Sequence, residues 1–154
     1  MKIIKNILST QTLIAPLVLR VALGIVLFPH GAQKLLGWFG GHGFSGTMNY
    51  FTTTIGLTSF IGFMVIFLEF FGALFIFLGL FTRLFSLAAL IMFIGMVVTV
   101  HYQFGFFMNW TGNAVGEGFE YHLLVIGILS SLIISGSGKM SLDKLIYNRI
   151  SNFS

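Results

Sequence analysis

Charged residues are scarce in this sequence. Eight of the 154 residues are Lys or Arg and four are Asp or Glu, whereas a soluble domain of this length carries about 38 charged side chains. Hydrophobic residues make up 56% of the chain and the mean hydropathy is +0.99. A 17.0 kDa chain cannot bury that much apolar surface, because a small domain hides only about two thirds of its surface on folding. The composition therefore excludes a soluble globular protein and indicates one solvated by lipid.

Cysteine is absent, which excludes disulfides, thiolate nucleophiles, cysteine-ligated zinc and iron–sulfur clusters. Redox chemistry would therefore need a bound cofactor or a partner protein. The basic residues are scattered and do not form the stripe that binds nucleic acid. We predict no metal site, no iron–sulfur cluster and no nucleic-acid partner.

Four apolar segments divide the chain, at residues 12–36, 55–80, 84–102 and 117–134. Four spans joined by short loops use most of the length, so we predict one all-α domain, residues 1–154, folded as an integral membrane four-helix bundle. No small-residue cleavage site follows the first basic residues, so we expect the first span to stay in the mature protein.

Basic residues near the segment ends lie mostly on one side of the predicted bundle. They are Lys2, Lys5, Arg83, Lys139, Lys144 and Arg149. Lys34 is close to the other side. The positive-inside rule then places both termini in the cytoplasm. If the cell has two membranes, we expect the protein in the inner one.

Glu69 lies near the middle of the second segment, where an acid costs about 2.5–3.5 kcal/mol to insert. At about 100° per residue it shares a stripe with mostly small residues: Gly62, Val65, Gly72, Ala73, Ile76 and Gly79. Because small residues permit close helix packing, Glu69 is expected to point at a neighbouring helix. Two interpretations stay open, a structural interhelical hydrogen bond and a role in proton or ligand handling.

The first segment carries a polar face that could partner Glu69. Its members, spaced as on one side of a helix, are Arg20, Gly24, Leu27, Gly31 and Lys34. We predict an Arg20–Glu69 ion pair, because pairing would offset the desolvation of both charges. Pro29 kinks this helix beside His30. For His30, a core histidine and a ligand-binding residue both stay open.

The fourth segment supplies a second acid. The predicted inward face of this segment consists of Glu117, Glu120, Tyr121, Leu124, Gly127, Ile128 and Ser131. We expect Glu120 to pair with Lys34, because both fall toward the outer ends of their helices and a buried cluster needs balanced charge. His122 points about 160° away from Glu120, so we expect it at the membrane interface. Glu117 is expected to be solvated or to lie at a helix N-terminus, and Arg83 is expected to be a snorkelling anchor.

Three histidines on different helices, His30, His101 and His122, fall toward the outer side. Two of them could in principle hold a haem. Paired haem ligands in a bundle must point into a shared core, and the sequence supports that only for His30. Haem binding is therefore not favoured.

These residues together resemble the DoxX family of small four-span bacterial membrane proteins. The resemblance covers most of the chain and is carried by ordered motifs: Leu19-Arg20 with Gly24, His30-Gly31-x-x-Lys34, Trp38-Phe39-Gly40-Gly41, Glu69-x-x-Gly72, Gly79-Leu80-x-Thr82-Arg83, Gly118-x-Glu120-Tyr121 and Gly136-x-Gly138-x-x-Ser141-Leu142-Asp143. It implies a multi-pass protein of the bacterial cytoplasmic membrane that is associated with quinone-linked oxidation.

The resemblance also implies roles for individual residues. The family's polar pattern falls on two acids for proton handling and four basic residues for ligand contact: Glu69 and Glu120, and Arg20, His30, Lys34 and Arg83. A quinone is the implied cofactor. Because the chain offers no evident electron carrier, we expect a partner in a membrane complex, or a homo-oligomer.

The favoured hypothesis is therefore a quinone- or quinol-linked redox subunit whose partner carries the electrons. The alternative is a structural or assembly subunit of a larger membrane complex, without catalysis of its own. A solute or lipid carrier ranks third, because no paired broken helices or inverted halves are visible. Whether the chain is itself an enzyme stays open at this stage.

Overall fold

Residues 6–152 are described by the computed structural model, and that range contains helices and loops but no strand. Lys2 and Lys5, which were counted in predicting the membrane orientation, lie outside the described residues. The principal helices are numbered in chain order: α1 Ala15–Leu36, α2 Gly43–Asn49, α3 Ser59–Leu78, α4 Thr82–Phe104, α5 Glu120–Ser135 and α6 Leu142–Asn152.

Three of these helices, α1, α3 and α4, are long and apolar enough to cross a membrane. Helix α5 is also apolar but has 16 residues, which is about 24 Å at 1.5 Å per residue. The prediction of an all-α protein with membrane-spanning helices is therefore confirmed for three of the four predicted spans. Each apolar helix begins and ends within four residues of its predicted segment.

Local sequence explains where the apolar helices begin and end. Pro16 lies in the first turn of α1, where the missing N–H costs no helical hydrogen bond. The Thr58 hydroxyl accepts a hydrogen bond from the N–H of Ile61 at the start of α3, as an N-cap does. Gly37 and Gly79, with φ of 74° and 68°, end α1 and α3. Both adopt the left-handed backbone that glycine tolerates best.

The four apolar helices pack around one hydrophobic core. Its most buried side chains come from all four helices: Leu23 and Leu27, Ala73 and Ile76, Ala89 and Phe93, and Leu129 and Leu132. Core burial of this kind requires that each helix present one consistent face to its neighbours. The predicted faces of α1 and α3 are the ones that are buried.

Glycines bring α1 and α3 into close contact. A Cβ added to Gly31 would lie 2.5 Å from the carbonyl carbon and oxygen of Glu69, and one added to Gly24 would lie 2.7 Å from the Cβ of Phe77. Such distances leave no room for a side chain, so the two backbones approach as they do in small-residue membrane contacts. Gly31 therefore sets α1 directly against the turn of α3 that carries Glu69.

The two ends of the molecule differ. We call the end formed by residues 6–14, 79–81 and 136–152 the terminal end, and the end formed by residues 37–58 and 105–119 the loop end. At the terminal end, the Asp143 carboxylate accepts hydrogen bonds from the backbone N–H groups of Phe81, at 2.6 Å, and Thr82, at 3.0 Å. Asp143 thereby caps the N-terminus of α4 from outside that helix. Burial raises its pKa, although the hydrogen bonds from Thr82 and Phe81 oppose that shift.

Candidate functional site

An ion pair between α1 and α3 forms the polar centre of the core. Lys34 Nζ lies 2.5 Å from Glu69 Oε2, and the two side chains are 25% and 5% exposed. Glu69 belongs to a π-helical turn, Leu68–Gly72, that interrupts α3. Single π turns within α-helices are frequent at functional sites. The turn and the Gly31 contact together present the Glu69 carboxylate to Lys34.

The Lys34–Glu69 pair lies in the wall of a cavity of about 750 Å³. That volume is within the usual range for small-molecule sites, which are mostly apolar with a few convergent polar groups. Most of the lining is aliphatic, aromatic or methionine, and includes Leu27, Phe51, Met64, Ile91, Met92 and Phe93. The main polar groups come from six further positions: His30, Tyr50, His101, Glu117, Tyr121 and His122.

Two of these polar groups are buried without a partner. The phenol oxygen of Tyr121 and the Nδ1 nitrogen of His122 form no hydrogen bond with any of residues 6–152. An unpaired buried polar group costs about 1–3 kcal/mol, so native proteins rarely keep one without a functional or structural reason. Both groups line the cavity, where a ligand could satisfy them.

His101 and His122 contact each other in the same wall, with ring centroids 4.0 Å apart and ring planes inclined by 40°. His101 Nδ1 lies 2.8 Å from the carbonyl oxygen of Glu117. Because a carbonyl can only accept, that nitrogen must carry the proton, and Nε2 is the acceptor in the neutral ring. The His101–His122 pair therefore joins the loop end to the cavity.

The predicted Arg20–Glu69 ion pair is wrong. The Arg20 guanidinium donates to the backbone carbonyls of four residues near the terminal end: Phe77, Ser137, Lys139 and Met140. Gly31 is the α1 residue opposite Glu69, and Arg20 precedes it by 11 residues, or roughly 16 Å along the axis. Arg20 therefore meets one carbonyl in the last turn of α3, where the helix dipole attracts a cation, and three carbonyls of the segment between α5 and α6.

The predicted Lys34–Glu120 pair is also absent, since Lys34 pairs with Glu69. Glu120 Oε1 accepts hydrogen bonds from the Met108 N–H, at 3.0 Å, and from Trp110 Nε1, at 2.8 Å. Glu120 therefore faces the loop between α4 and α5 and does not line the cavity. An acid at the first turn of a helix is close enough to a preceding loop to satisfy its N–H groups.

His122 was expected at the membrane interface, and this expectation is wrong. Its side chain is 5% exposed, whereas Leu124, which was placed on the inward face, is 70% exposed. The buried face of α5 consists of His122, Val125, Leu129 and Leu132. Because α5 is apolar on all sides, its periodicity does not reveal which face is inward. Tyr121 does line the cavity, as its predicted inward position requires.

The remaining predicted residues divide between the cavity and the terminal end. His30 is exposed and lines the cavity, so it is not a core histidine. Arg83 donates to the carbonyls of Ser9, at 3.2 Å, and Ile133, at 2.5 Å. It ties the start of α4 to the C-terminal turn of α5 and does not reach the cavity.

Sequence reasoning gave no cavity role to His101 or His122. A signal was available in the consecutive polar residues 120–122 at the start of an apolar segment. Consecutive helical residues are about 100° apart, so three of them always include one that faces inward. The identity of that residue depends on the packing of α5, which the sequence does not specify.

Comparison with known proteins agrees with this architecture. Residues 15–102, which contain α1, α3 and most of α4, match the DoxX family model. Over 134 residues the chain is 33% identical to a protein of Bacillus subtilis (strain 168) named "Putative oxidoreductase CatD", and the alignment covers 87% of this chain and 88% of the relative. No solved structure matches it. The chain therefore belongs to the DoxX family.

Proposed function

We propose that this DoxX protein is a quinone- or quinol-linked redox subunit that binds the ring of its ligand beside the Lys34–Glu69 pair. In this proposal it is a multi-pass protein of the bacterial cytoplasmic membrane. The four apolar helices form a bundle that crosses the bilayer, and both termini are cytoplasmic. A partner protein exchanges electrons with the bound ligand.

The charge distribution of the described residues supports this topology. The terminal end carries Lys139, Lys144 and Arg149 in exposed or half-buried positions, as expected of a cytoplasmic face. Exposed aromatic residues lie at the loop end, among them Phe107 and Trp110, as expected at a membrane–water interface. Although α5 is about 6 Å shorter than a bilayer core of about 30 Å, the aromatic loop that precedes it can cover the difference.

The cavity wall fits the chemistry of a quinone. A quinone ring needs hydrogen-bond donors for two carbonyl oxygens and apolar contacts for its faces and tail. The Lys34 ammonium and the Tyr121 hydroxyl can donate to the oxygens, and the imidazole of His122 can donate from either nitrogen, depending on its protonation. Leu27 and Phe93 supply part of the apolar wall. This match of donors to acceptors is the support for a quinone.

The protein groups would position the ligand and carry protons. Bound quinone would supply a two-electron, two-proton couple. Glu69, held 2.5 Å from Lys34, is the acid best placed to accept or return a proton. The His101–His122 pair lies between the cavity and the loop end and can relay that proton outward. Since cysteine is absent, no cluster held by thiolates can deliver electrons from within this chain, which favours a partner.

One observation carries the proposal: a largely apolar cavity of about 750 Å³ holds an ion pair together with the unpartnered Tyr121 hydroxyl and His122 Nδ1. Binding of a short-tailed benzoquinone or naphthoquinone to the purified full chain in mild detergent tests it. We expect Tyr121→Phe to weaken binding about tenfold, because it removes one donor contact worth about 1.4 kcal/mol. Glu69→Gln should weaken binding to a similar degree, because Lys34 loses the ion-pair partner that positions its ammonium. Gly127→Ala is the matched control, since an added Cβ there meets nothing within 4 Å.

The result can also contradict the proposal. If the wild-type chain neither retains quinone during purification nor binds the added probe, and Glu69→Gln changes nothing, the cavity is not a quinone site. Native gel electrophoresis tests the partner separately. A solubilised chain that always migrates alone at full thermal stability is not an obligate subunit, which would also remove the alternative of an assembly protein.

A further inference from the structure

A second cavity opens at the terminal end, away from the Lys34–Glu69 pair. It is a groove of about 600 Å³ between α1, α3 and α6. Spanning helices supply one wall through Leu17, Val21, Phe77 and Leu78, and the C-terminal segment supplies the other through Met140, Leu142, Lys144 and Leu145. None of the residues that line it lines the larger cavity. The groove is therefore a separate site.

The charged groups around the groove leave one cation free. The Arg20 guanidinium at its base is used by four backbone carbonyls. Asp143 is 1% exposed and caps α4, so it cannot neutralise a neighbour at the surface. The Lys144 ammonium lines the groove and has no ion-pair partner in the part of the chain that the structure describes. The groove thus combines apolar walls with one unpaired positive charge.

The exposed side of α6 indicates that the groove faces lipid. Leu145 is 65% exposed and Met140 is 84% exposed, beside Leu78 of α3 at 46%. Arg149 lies one turn beyond Leu145 on the same exposed side. In helices that lie at a membrane surface, leucines reach toward the acyl chains and basic side chains reach the head groups, and α6 carries both kinds of residue beside the groove.

We propose that the groove binds one anionic phospholipid, with its phosphate at Lys144 and an acyl chain along Val21, Phe77 and Leu78. Acidic lipid attracts basic residues next to a membrane surface by about 1 kcal/mol each, and basic pockets between transmembrane helices bind anionic head groups. The apolar wall selects a lipid over a free phosphate ion, because only a lipid places hydrocarbon beside the same charge. The lipid would tie α6 to the spanning helices.

Native mass spectrometry of the full chain in mild detergent tests this proposal. Phosphatidylglycerol is the probe, and phosphatidylcholine and inorganic phosphate are the comparisons. We expect tighter binding of phosphatidylglycerol than of phosphatidylcholine, and Lys144→Gln to weaken phosphatidylglycerol binding about fivefold. Lys139→Gln is the matched control, because Lys139 is exposed at the same end but lies outside the groove. Lys144→Arg should retain binding.

Three outcomes would overturn the proposal. Equal binding of the two lipids would show that charge is not recognised. Equal losses in Lys144→Gln and Lys139→Gln would show a diffuse surface attraction in place of a site. Displacement of phosphatidylglycerol by millimolar inorganic phosphate would show that the acyl chain contributes nothing. Each result is independent of quinone binding, because the two cavities share no residue.

Discussion

Removing one charge of the Lys34–Glu69 pair should destabilise the protein more than removing both. The Glu69 side chain is 5% exposed and its carboxylate lies 2.5 Å from the Lys34 ammonium. Lys34→Met would leave that carboxylate buried beside an apolar group. Adding Glu69→Gln would replace the charge with a neutral amide of similar shape, so the penalty for an isolated buried charge would disappear.

The size of the effect follows from the burial of the two partners. Breaking a buried ion pair costs about 3–5 kcal/mol. The Lys34 side chain is 25% exposed, so water in the cavity moderates the penalty and we expect Lys34→Met to cost about 3 kcal/mol. Glu69→Gln alone should cost about 2 kcal/mol and the double variant about 1–2 kcal/mol, so the coupling energy of the cycle should be about 3 kcal/mol or slightly more, at the upper end of the range for residues in contact.

A double-mutant cycle on the free energy of unfolding measures this coupling. The wild type, both single variants and the double variant are unfolded reversibly in mixed micelles by increasing sodium dodecyl sulfate, and loss of helix is followed by circular dichroism. If the cost of the double variant equals the sum of the single costs within about 0.5 kcal/mol, the two side chains do not interact and the site described above is incorrect.

Three other substitutions test neighbouring parts of the argument. Gly31→Ala should destabilise by about 1–3 kcal/mol, because its Cβ would lie 2.5 Å from the Glu69 carbonyl, while Gly127→Ala, which meets nothing within 4 Å, should be neutral in the same unfolding assay. Arg20→Met should lower stability but leave quinone affinity unchanged, since Arg20 does not line that cavity; a loss of affinity at normal stability would contradict this. Burial raises the pKa of Asp143 above its ordinary value of 3.8. The folded protein therefore holds this proton more tightly than the unfolded chain does, and the resulting stabilisation is present below about pH 4 and is lost as pH rises through the folded pKa. Asp143→Asn should remove that dependence, and an unchanged pH profile would contradict it.

Much of the α1–α3 contact could be predicted from sequence. Glycines and charged residues recur at helical spacing on both segments, so each has one face that differs clearly from the rest. The buried faces of both helices are the predicted ones. What periodicity could not provide is the axial offset between the helices, because sliding one along the other leaves both faces inward. That offset decides whether Glu69 meets Arg20 or Lys34, and Gly31 fixes it by contact with the Glu69 backbone.

The α5 wall of the site could not be predicted for a different reason. Beyond its first turn, α5 has no charged residue and carries apolar side chains around its whole circumference, with Ser130, Ser131 and Ser135 as the only polar side chains there. The side facing lipid and the side facing protein are then chemically alike, and lipid gives no hydrophobic penalty that would distinguish them. Leu124 and Leu129 are both leucines in one helix, yet one is 70% exposed and the other 0%. The position of His122 therefore depends on packing with α4.

The cationic side chains at the two ends of the molecule have different kinds of partner. Arg20 and Arg83 both bind carbonyls at helix C-termini, of α3 and α5 respectively, where the negative end of the helix dipole stabilises a cation. These contacts lie at the terminal end and satisfy carbonyls that would otherwise be unpaired. Lys34 lies on the loop side of α1, where its partner is a carboxylate that can change its charge by taking up a proton. A carbonyl cannot do so, which means that arginines at the terminal end can hold the helices together but cannot take part in proton transfer. The proposed proton chemistry therefore centres on Lys34–Glu69 and the histidine pair.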